Sequence, residues 1–266
     1  MLLARMLTAI IGIPFILVCV YCGDIIFYGM TFFVSLFCVY EYLAILKKYN
    51  PHIFASLVMS AAFSIFLYFF KNFPVDKIMV SAVVMMIVFF GVEIFKENSN
   101  LCIVRISSSF WGTFFIPLAL MHMVYIRNLK YGMELVFFIF IVIWTLDTAA
   151  YAFGKVLGKH KLVESVSPRK TVEGAIAGII FGILGAIICR YGFMSNILTL
   201  WDSVILGFLI AVIGQFSDLS ESIIKRDGDI KDSGRMLPGH GGVFDRFDSY
   251  IFTAPIIYYY VSKFLV

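Results

Sequence analysis

Charged side chains are scarce in this chain. Asp, Glu, Lys and Arg make up 14% of its 266 residues, against 61% hydrophobic and 17% aromatic residues, with a mean hydropathy of +0.96. A water-soluble domain carries roughly 25% charged and 45–50% apolar residues, so there is too little polar material here to coat a globule of this size. The hydrophobic excess also excludes a disordered chain. Cysteine is sparse too, at five residues, which excludes a disulfide-stapled secreted fold. Cys19 and Cys22 form a C-x-x-C, but inside an apolar stretch with no second pair or nearby histidine. Structural zinc needs four converging ligands, so these thiols read as packing groups. What remains is an integral membrane protein.

Nine apolar runs stand between polar breaks: 6–22, 25–45, 53–70, 77–92, 106–126, 133–151, 172–190, 198–217 and 247–265. A helix crosses the hydrocarbon core with ~20 apolar residues, because 1.5 Å per residue then matches ~30 Å. These runs are too long, and alternate too little, for barrel strands. The expected fold is all-α, a polytopic membrane helical bundle of about nine transmembrane helices. The first run follows Arg5 and shows no small-residue cleavage site, so it reads as a retained helix. With the N-terminus in the cytoplasm, 15 of the 21 basic residues fall on the inner side, which the positive-inside rule favours.

Two polar segments, 152–171 and 218–246, then face the cytoplasm. The first is basic, with Glu164 its one acid. From 218 to 248 the chain holds 12 of its 38 charged residues in 31 positions, both signs dense. A basic tether to anionic lipid needs no seven carboxylates. Asp218, Glu221, Ser222 and Lys225 would share one face if the eighth helix continues past the membrane, and Asp245 and Asp248 would share a face at the start of the ninth. Four glycines and a proline in 234–242 make a loop whose N–H groups could approach a ligand closely. Hard cations such as Mg²⁺ take oxygen ligands and share them with substrate phosphates. The alternative is a solvated loop with incidental ion pairs.

In the first segment, Asp147 lies at membrane depth, where an ionisable residue marks a functional site more often than not. Ala150, Gly154 and Gly158, and Gly174, Gly178, Gly182 and Ala186, recur every four residues and read as close helix packing. Ser167, Pro168, Arg169 and Lys170 precede a helix N-terminus, which favours an anion; anchoring at the lipid surface is the equal alternative. The residues alone thus indicate a membrane-embedded, Mg²⁺-dependent phosphate site open to the cytoplasm.

The chain resembles the phosphatidate cytidylyltransferases, or CDP-diacylglycerol synthases. The resemblance rests on Ser222, Lys225, Arg226, Lys231, Asp232, Gly234, Leu237, Pro238, His240, Gly241, Gly242, Asp245, Arg246 and Asp248 at the family's spacing, with Asp147–Gly174 similar to its second polar motif. The N-terminal part, 1–140, matches no motif and is expected to be a scaffold that takes part in dimerisation; 141–266 is expected to be catalytic. The resemblance implies the reaction CTP + phosphatidate → CDP-diacylglycerol + pyrophosphate, with Mg²⁺, leaving room for a second, monovalent cation such as K⁺. It implies a homodimer in the lipid bilayer, at the inner membrane if the source is bacterial, and no nucleic-acid partner.

By motif position, Asp218 and Asp245 are the expected principal metal ligands, with Asp248 and Asp232 as second choices. Lys225, Arg226, Lys231, Arg246, Arg169 and Lys170 are the expected phosphate partners. His240, with Gly241 and Gly242, either shapes the loop or binds a phosphate. Ser222 is a further expected substrate contact, and Asp147, Tyr151 and Ser167 complete the expected cytoplasmic mouth; the site must open sideways to the bilayer because acyl chains cannot leave it. A transporter would suit an intramembrane Asp147, but predicts paired broken helices in two repeated halves, and no such repeat is present. Another membrane-embedded phosphate-transfer enzyme is the remaining alternative; the D-G…A-R signature of CDP-alcohol phosphotransferases is absent.

Overall fold

A computed structural model describes residues 2–70, 75–96, 100–234, 236, 239 and 241–265. Each apolar run falls on a helix. In order these are α1 (Leu2–Cys22), α2 (Asp24–Ile45), α3 (Ile53–Phe69), α4 (Val75–Ile94), α5 (Cys102–Phe110), α6 (Ile116–Arg127), α7 (Gly132–Leu157), α8 (Val172–Phe193), α9 (Leu200–Asp227) and α10 (Phe244–Phe264). A π-helical turn, Trp111–Phe115, joins α5 to α6, so Cys102–Arg127 is one continuous span. Among the described residues six spans are long and apolar enough to cross a membrane: Asp24–Ile45, Val75–Ile94, Cys102–Arg127, Gly132–Leu157, Val172–Phe193 and Leu200–Asp227. The apolar stretches Ile10–Cys22 and Ile53–Phe69 are shorter. The protein is a polytopic helical membrane protein.

Its helices sort into two compact units. The first comprises Met1–Ile16, Asp24–Val124 and Ile224–Phe247; the second comprises Leu17–Gly23, Tyr125–Ile223 and Asp248–Val266. In the first unit, the serines of α3 at 56, 60 and 64 are fully buried on one face, and Ser60 Oγ donates to the Thr113 carbonyl at 3.4 Å. Buried Glu93 on α4 accepts from Arg105 Nε at 2.9 Å and Lys96 Nζ at 3.0 Å, and His52 Nε2 lies 2.7 Å from its Oε1, which brings the ends of α3, α4 and α5 together. Burial, followed by the charge of Lys96, holds the His52 imidazole below its usual range, although Glu93 opposes them.

The end of α9 is set by a Schellman motif. Asp229 takes a positive φ of 57°, Ile230 N donates to the Lys225 carbonyl at 3.0 Å and Asp229 N to the Arg226 carbonyl at 3.1 Å. Tyr49 Oη donates to Asp227 at 2.9 Å and fastens this terminus further. Lys225 and Arg226 lie in that last turn, where the helix dipole favours cations.

In the second unit the small-residue spacing does serve close packing. A Cβ on Gly174 would lie 2.6 Å from the Ala150 carbonyl oxygen, and one on Gly207 would lie 2.8 Å from Ala186 Cβ and 2.9 Å from Ile183 Cα. The latter neighbour is backbone and cannot swing away. Gly207→Ala is therefore expected to push α8 and α9 apart and cost about 1–3 kcal/mol, the usual scale of overpacking. Thermal unfolding in detergent measures it, and an unchanged midpoint would contradict the packing.

Between α7 and α8 the chain is no plain loop. Lys161–Val163 and Ser167–Thr171 pair antiparallel as β1 and β2, a small addition to the otherwise helical fold. Thr171 then caps α8, its hydroxyl accepting from Gly174 N at 3.2 Å.

Candidate active site

In the second unit, α9 presents Asp218 and Glu221 one turn apart, and the start of α10 adds Asp248. One carboxylate oxygen of each lies within 4.8 Å of the others. Glu221 is buried, with 2% of its surface exposed, and Asp218 is half-buried. Position is enforced locally, because Ser217 Oγ donates to the Asp248 carbonyl and Ser249 N donates to Asp248 Oδ1 at 2.6 Å. Three carboxylates this close repel one another unless a cation or protons intervene. Lys170, from β2, answers in part with Nζ 2.6 Å from Asp218 Oδ2. An all-oxygen donor set of this kind fits a hard divalent ion such as Mg²⁺.

The hairpin that delivers Lys170 is itself pinned. Glu173, in the first turn of α8, accepts from Lys159 N at 3.1 Å, from His160 N and from His160 Nδ1 at 2.6 Å. Lys161 Nζ donates to the Pro168 carbonyl at 2.6 Å. Ser167 is half-buried in β2 and Arg169 is exposed beside it, while Asp147 and Tyr151 are exposed on α7. Ser222 is buried on α9.

In the first unit, Asp245 is the centre of a second constellation. Its Oδ1 receives Lys225 Nζ at 2.7 Å, its Oδ2 accepts from Ser233 N and Gly242 N, each at 2.9 Å, and Ser233 Oγ lies at the same distance from Oδ2. An acidic side chain in the first turn of a helix that reaches back to the preceding N–H groups is half of a capping box, and the dipole favours its charge. Gly241 takes φ +86°, and a Cβ there would lie 2.9 Å from Asp245 Oδ2. Arg226 is exposed, with Nη1 donating to the Ile230 carbonyl at 3.2 Å; Lys231, Asp232 and Arg246 are exposed as well. His240 lies outside the described residues.

The structure thus gathers Asp218, Asp248 and Lys170, and engages Asp245 with Lys225, Ser233 and Gly242. The expected residue set lacked two carboxylates. Glu221 completes the three-carboxylate cluster, and Glu41 on α2, only 1% exposed, accepts from Phe244 N at 2.8 Å and Ser233 Oγ at 3.0 Å.

The fold and these constellations define a polytopic helical membrane protein with a three-carboxylate cluster in its second unit and a lysine-held aspartate in its first. Residues 3–264 match the model of the Cytidylyltransferase family, and the chain belongs to that family. It is 43% identical over 126 residues to a protein of Staphylococcus haemolyticus named phosphatidate cytidylyltransferase, which covers 47% of this chain and 48% of the relative. A Bacillus subtilis protein of the same name is 43% identical over 151 residues, 56% of each chain. A Staphylococcus saprophyticus protein, again so named, is 44% identical over 126 residues, 47% of this chain and 48% of its own. The chain spans about half the length of the curated relatives it matches.

Proposed function

We propose that this chain is an enzyme that transfers the cytidylyl group of CTP to phosphatidate, giving CDP-diacylglycerol and pyrophosphate. The observation that carries the reading is the family match across residues 3–264, and the names of the relatives supply the lipid acceptor. In this reaction a phosphate oxygen of phosphatidate attacks the α-phosphorus of CTP. A new P–O bond forms, the bond to the β-phosphate oxygen breaks, and its electron pair leaves with pyrophosphate. The nucleophile is already an anion near neutral pH, so little base catalysis is needed. The obstacle is repulsion between polyanions, and the remedy is positioning with neutralisation of charge.

The residues match that demand. Asp218, Glu221 and Asp248 would hold Mg²⁺, which when bound neutralises charge on the reacting phosphates. Lys170 supplies a cation beside these carboxylates. Lys225, Arg226, Lys231, Arg246 and Arg169 supply further positive charge for CTP and the phosphatidate headgroup. Asp245 holds Lys225 in place, and Gly241 and Gly242 let the loop backbone come near it. His240 either orders that loop or meets a phosphate.

The basic residues favour a cytoplasmic N-terminus, so the reaction takes place at the inner face of the membrane, the plasma membrane in a bacterium. Residues 141–266 carry the groups that meet substrate, 1–140 act as scaffold, and the working form is a homodimer. The test is direct. Chain purified in detergent with labelled CTP, phosphatidate and Mg²⁺ is expected to form CDP-lipid and pyrophosphate in equal amounts. If folded protein forms neither with any divalent ion, the reading fails.

A further inference from the structure

Glu41 sits in the penultimate turn of α2, in a stretch that is otherwise apolar, and is almost wholly buried. A carboxylate in such a place is costly unless it is hydrogen-bonded, so its partners matter. They come from a segment some 200 residues further along the chain. Oε2 accepts from Phe244 N at 2.8 Å and from Ser233 Oγ at 3.0 Å. Ser233 in turn reaches Asp245: its N and its Oγ each lie 2.9 Å from Oδ2, and Asp245 N donates back to Ser233 Oγ at 3.3 Å. Glu41, Ser233 and Asp245 are thus one hydrogen-bonded chain within the first unit.

Two motif glycines are shaped by the same carboxylate. A Cβ on Gly234 would collide with Glu41 Oε1, and one on Gly242 would collide with Glu41 Oε2 and Ser233 Oγ. These positions are bare because the carboxylate packs against them. Next along α2, Tyr42 meets Phe244 edge-on at 6.2 Å between ring centres and lies 4.9 Å from Trp111. A Cβ on Gly112 would run into the Tyr42 ring, 2.6 Å from its Cδ1. The end of α2 is therefore fitted to the glycine-rich loop by charge on one residue and by shape on the next.

We propose that Glu41 is a positioning residue for the reaction. Through Ser233 and Phe244 N it fixes the two ends of the glycine-rich loop, 231–234 and 241–244, and the orientation of Asp245, and so of Lys225. The proposal rests on the functional reading above, and it gives the N-terminal part of the chain a share in shaping the site.

Glu41→Ala, Glu41→Gln and the unaltered chain are compared, each full length in detergent. Initial rates are taken against both CTP and phosphatidate. Limited trypsin digestion is read by mass spectrometry after Lys231, in the loop, and after Lys161, in the hairpin. For Glu41→Ala, kcat is expected to fall by about 10²-fold with KM for phosphatidate within about twofold, because geometry rather than uniform binding is lost. Cleavage after Lys231 is expected to rise about tenfold, while cleavage after Lys161 stays the same, since only the loop opens locally. Glu41→Gln keeps an acceptor for Phe244 N and is expected to recover most of both losses.

An unchanged Lys231 rate overturns the proposal. Equal acceleration at both lysines, or a Gln variant as poor as the Ala variant, overturns it also, because either would mark a merely structural role. If the unaltered chain forms no CDP-lipid, the functional reading fails by itself, and the Lys231 to Lys161 ratio still decides whether Glu41 fixes the loop and Asp245.

Discussion

Glu221→Gln is expected to lower CDP-lipid formation by about 10³-fold, on the scale of removing an electrostatic contact from a preorganised site. It is equally expected to leave the metal-free protein no less stable. The two outcomes share one cause. Three carboxylate oxygens within 4.8 Å repel one another, and Glu221 is buried, with 2% of its surface exposed. Gln has the same shape without the charge, so the repulsion falls. A divalent ion reverses the balance, because ligand binding to the native state stabilises it by RT ln(1 + [L]/Kd), about 2.7 kcal/mol at a hundredfold excess over Kd. The unaltered chain should therefore gain thermal stability on adding Mg²⁺, and Glu221→Gln should gain little. Thermal unfolding in detergent with and without Mg²⁺ reads this without any need for turnover. Equal gains in both proteins would show that Glu221 holds no metal.

Glu221 also marks the limit of what could be seen in advance. Its place on one face with Asp218 was legible, because three residues along a helix is nearly one turn. Its partner Asp248 comes from a different helix, and no spacing along the chain predicts which carboxylates from two helices converge. Glu41 is a different case. It is a carboxylate in an apolar run, and the argument that singled out Asp147 applies to it equally. Nothing near it in sequence marks its role, because its partners, Ser233 and Phe244 N, lie about 200 residues away.

Helix ends show a further physical limit. The apolar runs stop near residues 151 and 217, yet α7 continues to Leu157 and α9 to Asp227. Hydropathy reports where a chain leaves lipid, whereas a helix stops where its backbone finds a cap. For α9 that cap is the Schellman turn at Asp229. The hairpin Lys161–Thr171 lies in the polar segment 152–171 without a strand signal of its own, since strands of three and five residues are too short to carry a period of two. It is this hairpin that carries Lys170 to Asp218.

Lys225→Met should cost stability as well as activity. Lys225 Nζ and Asp245 Oδ1 are 2.7 Å apart, and the two side chains are 12% and 11% exposed. Removing one partner of a buried pair strands the other charge, at a cost of about 3–5 kcal/mol. Ser233 and Gly242 still donate to Oδ2, so the observed loss should fall at or below the lower end. Asp245→Asn added to Lys225→Met removes the stranded charge. The double variant is therefore expected to regain most of the lost stability, a non-additivity that contacting partners show and distant ones do not. Activity should follow the opposite course. Without Lys225 the phosphates lose a fixed cation, and both the single and the double variant should fall by about 10²-fold or more in CDP-lipid formation. Unfolding midpoints and initial rates on the same preparations separate these roles. If the double variant is no more stable than Lys225→Met, the pair does not carry the coupling assigned to it; if it regains turnover along with stability, Lys225 serves the fold and not the substrate.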